Sequence, residues 1–251
     1  MRLTIVGCSG SYPGPEAAAS CYLLEADHEG RTWRLLLDLG NGALGSLHRY
    51  ADPLSVDGVV LSHLHADHCL DLCGYYVLRK YHPDGAQPRI PVWGPAGAAA
   101  RLARAYDLPS KPGMTGEFDF HTFDGAFRIG PFEVEPTQVL HPVATYALRV
   151  TAAGRTLAYS GDSAPCPGLD RAATRADLFL VEASFLEGAP NPPAVHLTGR
   201  EAGETATRAD VARVVLTHVP PWHDRARALA EAAAVYAGTL DLAVPGATYD
   251  V

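Results

Sequence analysis

The chain has 251 residues, is 47% hydrophobic, and carries 20 basic against 28 acidic side chains for a formal net charge of −8. Such a composition supplies a substantial core, and the length suits one large α/β domain or two small ones. With no run of basic residues, it also argues against a long polyanion such as a large RNA or DNA as partner. No stretch approaches the roughly 20 apolar residues that span a bilayer, and Met1-Arg2-Leu3-Thr4-Ile5-Val6-Gly7 reads as a strand rather than a leader, so a cytoplasmic protein without a membrane partner is expected.

In chain order, Leu3–Gly7, Cys21–Glu25, Trp33–Asp38 and Gly58–Leu61 read as strands. The turn Leu39-Gly40-Asn41-Gly42 precedes a helix near Ala43–Tyr50, and a helix over Asp71–Tyr81 follows a histidine cluster. Ile90–Trp93 is a strand, Gly97–Tyr106 an Ala-rich helix, and Leu108–Gly116 a loop rich in Pro and Gly. The second half repeats the alternation, with strands at Phe118–Phe123, Phe132–Leu140, Tyr146–Thr151, Thr156–Ser160 and Leu178–Glu182, and Ala153-Gly154 as a hairpin turn. Thr198–Arg208 reads as a helix opened by a Thr198/Glu201 capping box. The strand Val211–Thr217, the helix Asp224–Tyr236 and the strand Leu240–Val244 complete the set. No linker divides the chain, so residues 1–251 are expected to form a single α/β domain of two sheets packed face to face and flanked by helices.

The five cysteines (Cys8, Cys21, Cys69, Cys73 and Cys166) are scattered and read as reduced structural thiols, with Cys69 and Cys73 on one face of a helix. The chemistry lies instead in Leu61-Ser62-His63-Leu64-His65-Ala66-Asp67-His68, directly after the apolar run Asp57–Leu61. A histidine-rich tract can be a solvated loop, but three imidazoles and a carboxylate at a strand end make a poor core and a good metal site. If strand geometry persists, His63 and His65 point the same way, and Asp67 and His68 follow on a turn within reach of a second ion. Three further strand ends offer ligands: His141 after Val139-Leu140, Asp162 after Tyr159-Ser160-Gly161, and His218 after Leu216-Thr217.

With that order of ligands, His63, His65, Asp67 and His68, then His141, Asp162 and His218, the chain resembles the metallo-β-lactamase-fold hydrolases, in their ribonuclease Z-like and phosphodiesterase branch. The turn Gly7-Cys8-Ser9-Gly10-Ser11, the strand end Leu36-Leu37-Asp38-Leu39-Gly40, the segment Glu182-Ala183-Ser184-Phe185 and the element His196-Leu197-Thr198 match that branch as well. The resemblance implies a four-layer αββα sandwich. It also implies a centre of two divalent ions, with Zn2+ suited to the ligands and Mn2+ or Fe2+ as alternatives. His63, His65 and His141 would hold one ion and Asp67, His68 and His218 the other, with Asp162 bridging both and a shared hydroxide attacking phosphorus. Asp67 would orient that nucleophile or take its proton, His196 would protonate the leaving oxygen, and Glu182 would orient His196 and raise its pKa.

Only twenty residues separate His141 from Asp162, room for a hairpin but not for the arm with which ribonuclease Z enzymes hold tRNA. The resemblance is closer to actinobacterial cyclic-nucleotide phosphodiesterases of the atypical class II type, through Ser62–Leu72 and Leu216-Thr217-His218-Val219-Pro220-Pro221-Trp222. It implies hydrolysis of 3′,5′-cyclic nucleotides, cyclic AMP first, to 5′-nucleotides, and is compatible with a homodimer. The alternatives are a ribonuclease acting on RNA 3′ ends and a non-catalytic metal-binding scaffold; the second is disfavoured by the intact ligand set. Trp222 either packs under the helix starting near Asp224 or stacks on a base. His28, His48, His82, His121 and His223 read as solvated.

Overall fold

A computed structural model describes all 251 residues. In chain order the elements are β1 (Arg2–Ser9), β2 (Ala18–Ala19), β3 (Cys21–His28), β4 (Arg31–Leu37), α1 (Ala43–Leu47), β5 (Gly58–Val60), α2 (Ala66–Cys69), α3 (Leu72–Tyr81), β6 (Ile90–Gly94), α4 (Ala98–Ala105), β7 (Phe118–Thr122), β8 (Phe127–Ile129), β9 (Phe132–Gln138), β10 (Tyr146–Ala152), β11 (Arg155–Tyr159), α5 (Pro167–Ala173), β12 (Leu178–Glu182), α6 (Gly199–Arg208), β13 (Arg213–Thr217), α7 (Arg225–Ala233), β14 (Thr239–Leu242) and β15 (Thr248–Asp250).

The strands form two mixed sheets. The first runs β15-β1-β3-β4-β5-β6-β7, with β2 beside β1, and the second runs β14-β13-β12-β11-β10-β9-β8. Pairing is antiparallel from β15 to β4 and from β8 to β11, then parallel from β4 to β7 and from β11 to β14. Period-two alternation sorts the side chains into three apolar layers. In β4, Leu35 and Leu37 join Ile5, Tyr22, Leu148, Leu157 and Leu180 between the sheets, whereas Leu36 faces the helices. Leu47, Leu72, Tyr75 and Leu102 of α1, α3 and α4 cover the outer face of the first sheet. Leu169, Ala202, Ala206, Ala228 and Ala232 of α5, α6 and α7 cover that of the second. The result is the expected four-layer αββα sandwich, and each fully buried Leu contributes roughly 1.5–3 kcal/mol to it.

Three short strands (β2, β8 and β15), one helix (α5) and a one-turn helix (α2) go beyond the sequence-based expectation. Each is too short to develop a readable period, and tertiary pairing decides them. Strand geometry also does not persist through the histidine cluster. β5 ends at Val60, and His65 is the residue that opens α2. Asp67 and His68 therefore sit on a helical turn, and Cys69 and Cys73 fall on two helices, α2 and α3, separated at Leu70–Asp71. All five cysteines are free. The expected hairpin forms between β10 and β11, with Ala153 and Gly154 both at positive φ (51° and 74°), the conformation a two-residue loop demands. No helix is long and apolar enough to cross a membrane.

Candidate metal centre

The parallel halves of both sheets end on one edge, and the crevice beyond strand C-termini is where α/β sheets place ligand sites. The structure brings all seven anticipated ligands there. One group is His63, His65, His141 and Asp162; the other is Asp67, His68, Asp162 and His218; within each, the ligand atoms lie within 4.8 Å of one another. Asp162 is common to both groups. The inward nitrogens crowd together, with His63 Nε2 3.0 Å from His65 Nδ1, His141 Nε2 3.3 Å from the same atom, and His68 Nε2 3.1 Å from His218 Nε2.

The surroundings of these side chains fit a cation. Asp162 is 2% exposed, and its Oδ1 is buried without a hydrogen bond although it lies 3.3 Å from His68 Nε2. A buried carboxylate oxygen left unmatched is costly unless an ion completes it. The outer ring nitrogens are meanwhile held by protein. His68 Nδ1 donates to Asp38 Oδ2 (2.7 Å), His141 Nδ1 to the carbonyl of Val195 (2.8 Å), and His218 Nδ1 pairs with Ser184 Oγ (2.8 Å). His63 Nδ1 pairs with Ser62 Oγ at 3.0 Å. Such outer contacts orient imidazoles so that their remaining nitrogens face an ion. Four oxygen or nitrogen donors of hard-to-borderline character in each group, Asp162 shared, suit Zn2+, Mn2+ or Fe2+.

Electrostatics agree with that fit. Burial, reinforced by His68, pushes the pKa of His63 well below the ordinary imidazole range, and burial together with His141 lowers that of His65. Both rings are therefore neutral and able to ligate. Burial opposes ionisation of Asp67, but hydrogen bonds from His218 and His68 outweigh it and hold the carboxyl below its usual range. Burial likewise opposes ionisation of Asp162, and His218, His68 and His63 overcome it. Burial disfavours a charged His68, yet Asp162 and Asp38 draw a proton onto it and raise its pKa. Carboxylates that attract a proton to this spot equally attract a metal cation.

Two residues of this edge adopt the left-handed region: Asp38 (φ 59°) and His218 (φ 56°). Asp tolerates that conformation through local hydrogen bonds, whereas for His it is a strain held by the surroundings. At Gly40 a Cβ would run into the carbonyl of Asp67, and at Gly10 into that of His218, so both glycines let the chain pass close behind candidate ligand residues.

His196 stands beside this cluster, on the loop before α6. Its Nδ1 lies 2.9 Å from Glu182 Oε1, and no protein group bonds its Nε2. Glu182 ends β12, is fully buried, and accepts from the amides of Ser163 (2.7 Å) and Ser184 (3.2 Å) as well. Burial lowers the pKa of His196, but the Glu182 carboxylate and its hydrogen bond raise it more, to about 9. At neutral pH the ring therefore holds a proton on its open Nε2. The ring of Phe185 meets it edge-on at 5.0 Å.

Asp38 has a larger part than its sequence context suggests. It is fully buried; Oδ1 accepts from Ser62 N (2.7 Å), and Oδ2 accepts from Ser62 Oγ (2.8 Å), His68 Nδ1 and Tyr159 OH (both 2.7 Å). The available signal was a charged residue closing the apolar run Leu35-Leu36-Leu37. Ser184 stands in the matched segment Glu182-Ala183-Ser184-Phe185, but its contact with His218 was not visible there. His28 and His48 are exposed, His82 and His223 partly so, and His121 stacks on Trp93 at 4.5 Å. Trp222 does not pack under α7. It is 59% exposed and lies against Tyr12, ring centroids 5.3 Å apart.

The profile of the "Beta-lactamase superfamily domain" matches residues 33–219. The chain is 43% identical over 261 aligned positions to an uncharacterized protein of Mycobacterium leprae, covering 100% of this chain and 89% of that protein. It is 28% identical to the "Probable metallo-hydrolase YhfI" of Bacillus subtilis, over 100% of each chain. The crystal structure of that metallo-beta-lactamase fold protein superposes with a TM-score of 0.86 at 26% identity, over 99% of each chain. The ribonuclease Z of Myxococcus xanthus is 27% identical over 308 aligned positions, which cover 100% of this chain and 98% of the enzyme.

Proposed function

Because the chain belongs to the beta-lactamase superfamily and is a metal-dependent hydrolase, we propose that its centre holds two divalent ions, Zn2+ by preference, and hydrolyses 3′,5′-cyclic nucleotides, cyclic AMP first, to 5′-nucleotides. The observation that carries this reading is the His196–Glu182 pair, 2.9 Å apart at the rim of the seven-ligand cluster. When bound, the ions supply Lewis acidity at the phosphoryl oxygens and an activated water near neutral pH.

The protein's own groups account for the remaining proton traffic. Asp67, held ionised, orients the attacking water or takes its proton. His196 is positioned by Glu182 with its Nε2 open, so its proton passes to the departing 3′-oxygen as the P–O3′ bond breaks. The product keeps the phosphate on its 5′-oxygen. Glu182 does not itself transfer a proton; its negative charge keeps the imidazolium formed.

A ribonuclease Z activity is the second reading, favoured by the Myxococcus xanthus relative. Against it, the span from His141 to Asp162 is filled by the β10–β11 hairpin, and the alignment with that enzyme needs 308 positions to accommodate 251 residues. The acidic net charge also gives little hold on tRNA. A non-catalytic scaffold is disfavoured because no ligand-type residue and neither member of the His196–Glu182 pair is missing.

Turnover by the metal-loaded protein on cyclic AMP, bis(p-nitrophenyl) phosphate and a 3′-extended tRNA separates these readings. We expect cyclic AMP to be cleaved to 5′-AMP and the tRNA to be left intact. Trimming of the tRNA with cyclic AMP untouched would overturn the proposal, and inertness toward all three would favour the scaffold.

A further inference from the structure

Resting on the cyclic-nucleotide reading, we infer that the exposed Tyr12–Trp222 pair is a stacking platform for the nucleobase of the substrate. Trp222 follows ligand residue His218 by four positions, so its Cα lies within roughly 14 Å of that residue at full extension. Tyr12 belongs to the loop leaving the metal-side end of β1. The two loops are tied together at that edge: His218 N donates to the carbonyl of Cys8 (3.0 Å), Gly10 N to that of Val219 (3.3 Å), and Ser9 and Val219 form a bridge. Ser9 Oγ then donates to the carbonyl of Tyr12 at 2.7 Å.

The pair is built as a rigid surface. Pro220 and Pro221 fix the chain before Trp222, and His223 N closes a turn onto the carbonyl of Pro220 at 3.0 Å. The rings lie 5.3 Å apart at 31°, with Trp222 59% and Tyr12 45% exposed. Neither side chain fills the core, so packing does not explain why this loop carries a tryptophan. An exposed indole on the loop that follows His218, near the proposed phosphodiester-cleaving centre, suits a nucleobase, whose π-face stacks on indole whatever the base. Phosphate at the metal-side edge and base on the aromatic pair would engage opposite ends of one nucleotide.

The test uses the metal-loaded full chain. Titration with 5′-AMP should quench tryptophan fluorescence in the wild type and leave Trp222→Phe unquenched, since the other two tryptophans, Trp33 and Trp93, sit in the first sheet. In turnover, Trp222→Ala should raise KM for cyclic AMP by about five- to a hundredfold, the range of one base–aromatic stack, with kcat little changed. KM for 1-O-methylribose 3′,5′-cyclic phosphate, which has no base, should not move, and Trp222→Phe should recover most of the affinity. Equal KM changes on both substrates, or quenching that persists in Trp222→Phe, would overturn the inference. So would loss of binding that tracks a change of oligomeric state, which would assign the pair to a subunit contact. A wild type that cleaves neither cyclic substrate sinks the functional reading alone, because the 5′-AMP titration still decides the stacking.

Discussion

His196 illustrates how one residue acquires a role from its neighbours. Alone it is a loop histidine; with Glu182 at 2.9 Å its pKa is raised to about 9, which suits the acid role proposed for it. His196→Gln is expected to lower kcat by about 10²- to 10⁴-fold, the usual worth of a general acid, with metal content by elemental analysis unchanged. Loss of metal in that variant would make it a ligand instead. In the proposed mechanism the protonated ring is the working form, so kcat/KM should fall as pH rises through about 9. Glu182→Gln removes the charge that favours the proton, and the falling limb should move to lower pH; a limb that stays in place would show that another group sets it. Asp38 acts at one remove, holding His68 through Nδ1. Asp38→Asn should weaken metal affinity about 10- to 100-fold in a competitive chelator titration. The candidate ligands were legible from residue type and strand-end position, and His196 and Glu182 through the family resemblance alone. The service of Asp38 to His68 was not, because thirty positions separate them and only the alignment of β4 with β5 brings them together.

At the level of elements, the site is assembled from ends. β5, β11, β12 and β13 stop where their side chains become functional, at Ser62–His63, Asp162, Glu182 and His218. Apolar runs punctuated by polar residues made these strands readable. Helix α6 was readable through its cap: Thr198 Oγ1 accepts from Glu201 N at 3.1 Å, and Glu201 Oε2 accepts from Thr198 N at 2.8 Å. Thr198→Ala should cost about 1 kcal/mol of stability in urea unfolding. Because His196 lies two residues before the cap, the same change should also reduce kcat more than a surface cap elsewhere would, for instance Asp224→Ala at α7. Helix α2 was not readable, since a single turn shows no period; its formation is what places Asp67 and His68 on the second ligand group.

Across the whole molecule, the two ligand groups draw on both sheets: His63, His65, Asp67 and His68 follow the first, and His141, Asp162 and His218 follow the second. A cation held there cross-links the sandwich at one edge and binds only the folded chain. Chelation should therefore lower Tm, and Zn2+ added in excess should restore it in proportion to the logarithm of its concentration. An unchanged Tm on complete metal removal would count against a resident ion. The sequence by itself determined the inventory: which strands are apolar, which of their ends carry imidazole or carboxylate side chains, and that only twenty residues lie between His141 and Asp162. Those are local properties, written in composition and short-range period. Only the tertiary structure decided that Asp38 supports His68 and that Trp222 stands in solvent against Tyr12. Each of those depends on strand order and on the packing of two sheets, which bring together residues that no local pattern connects.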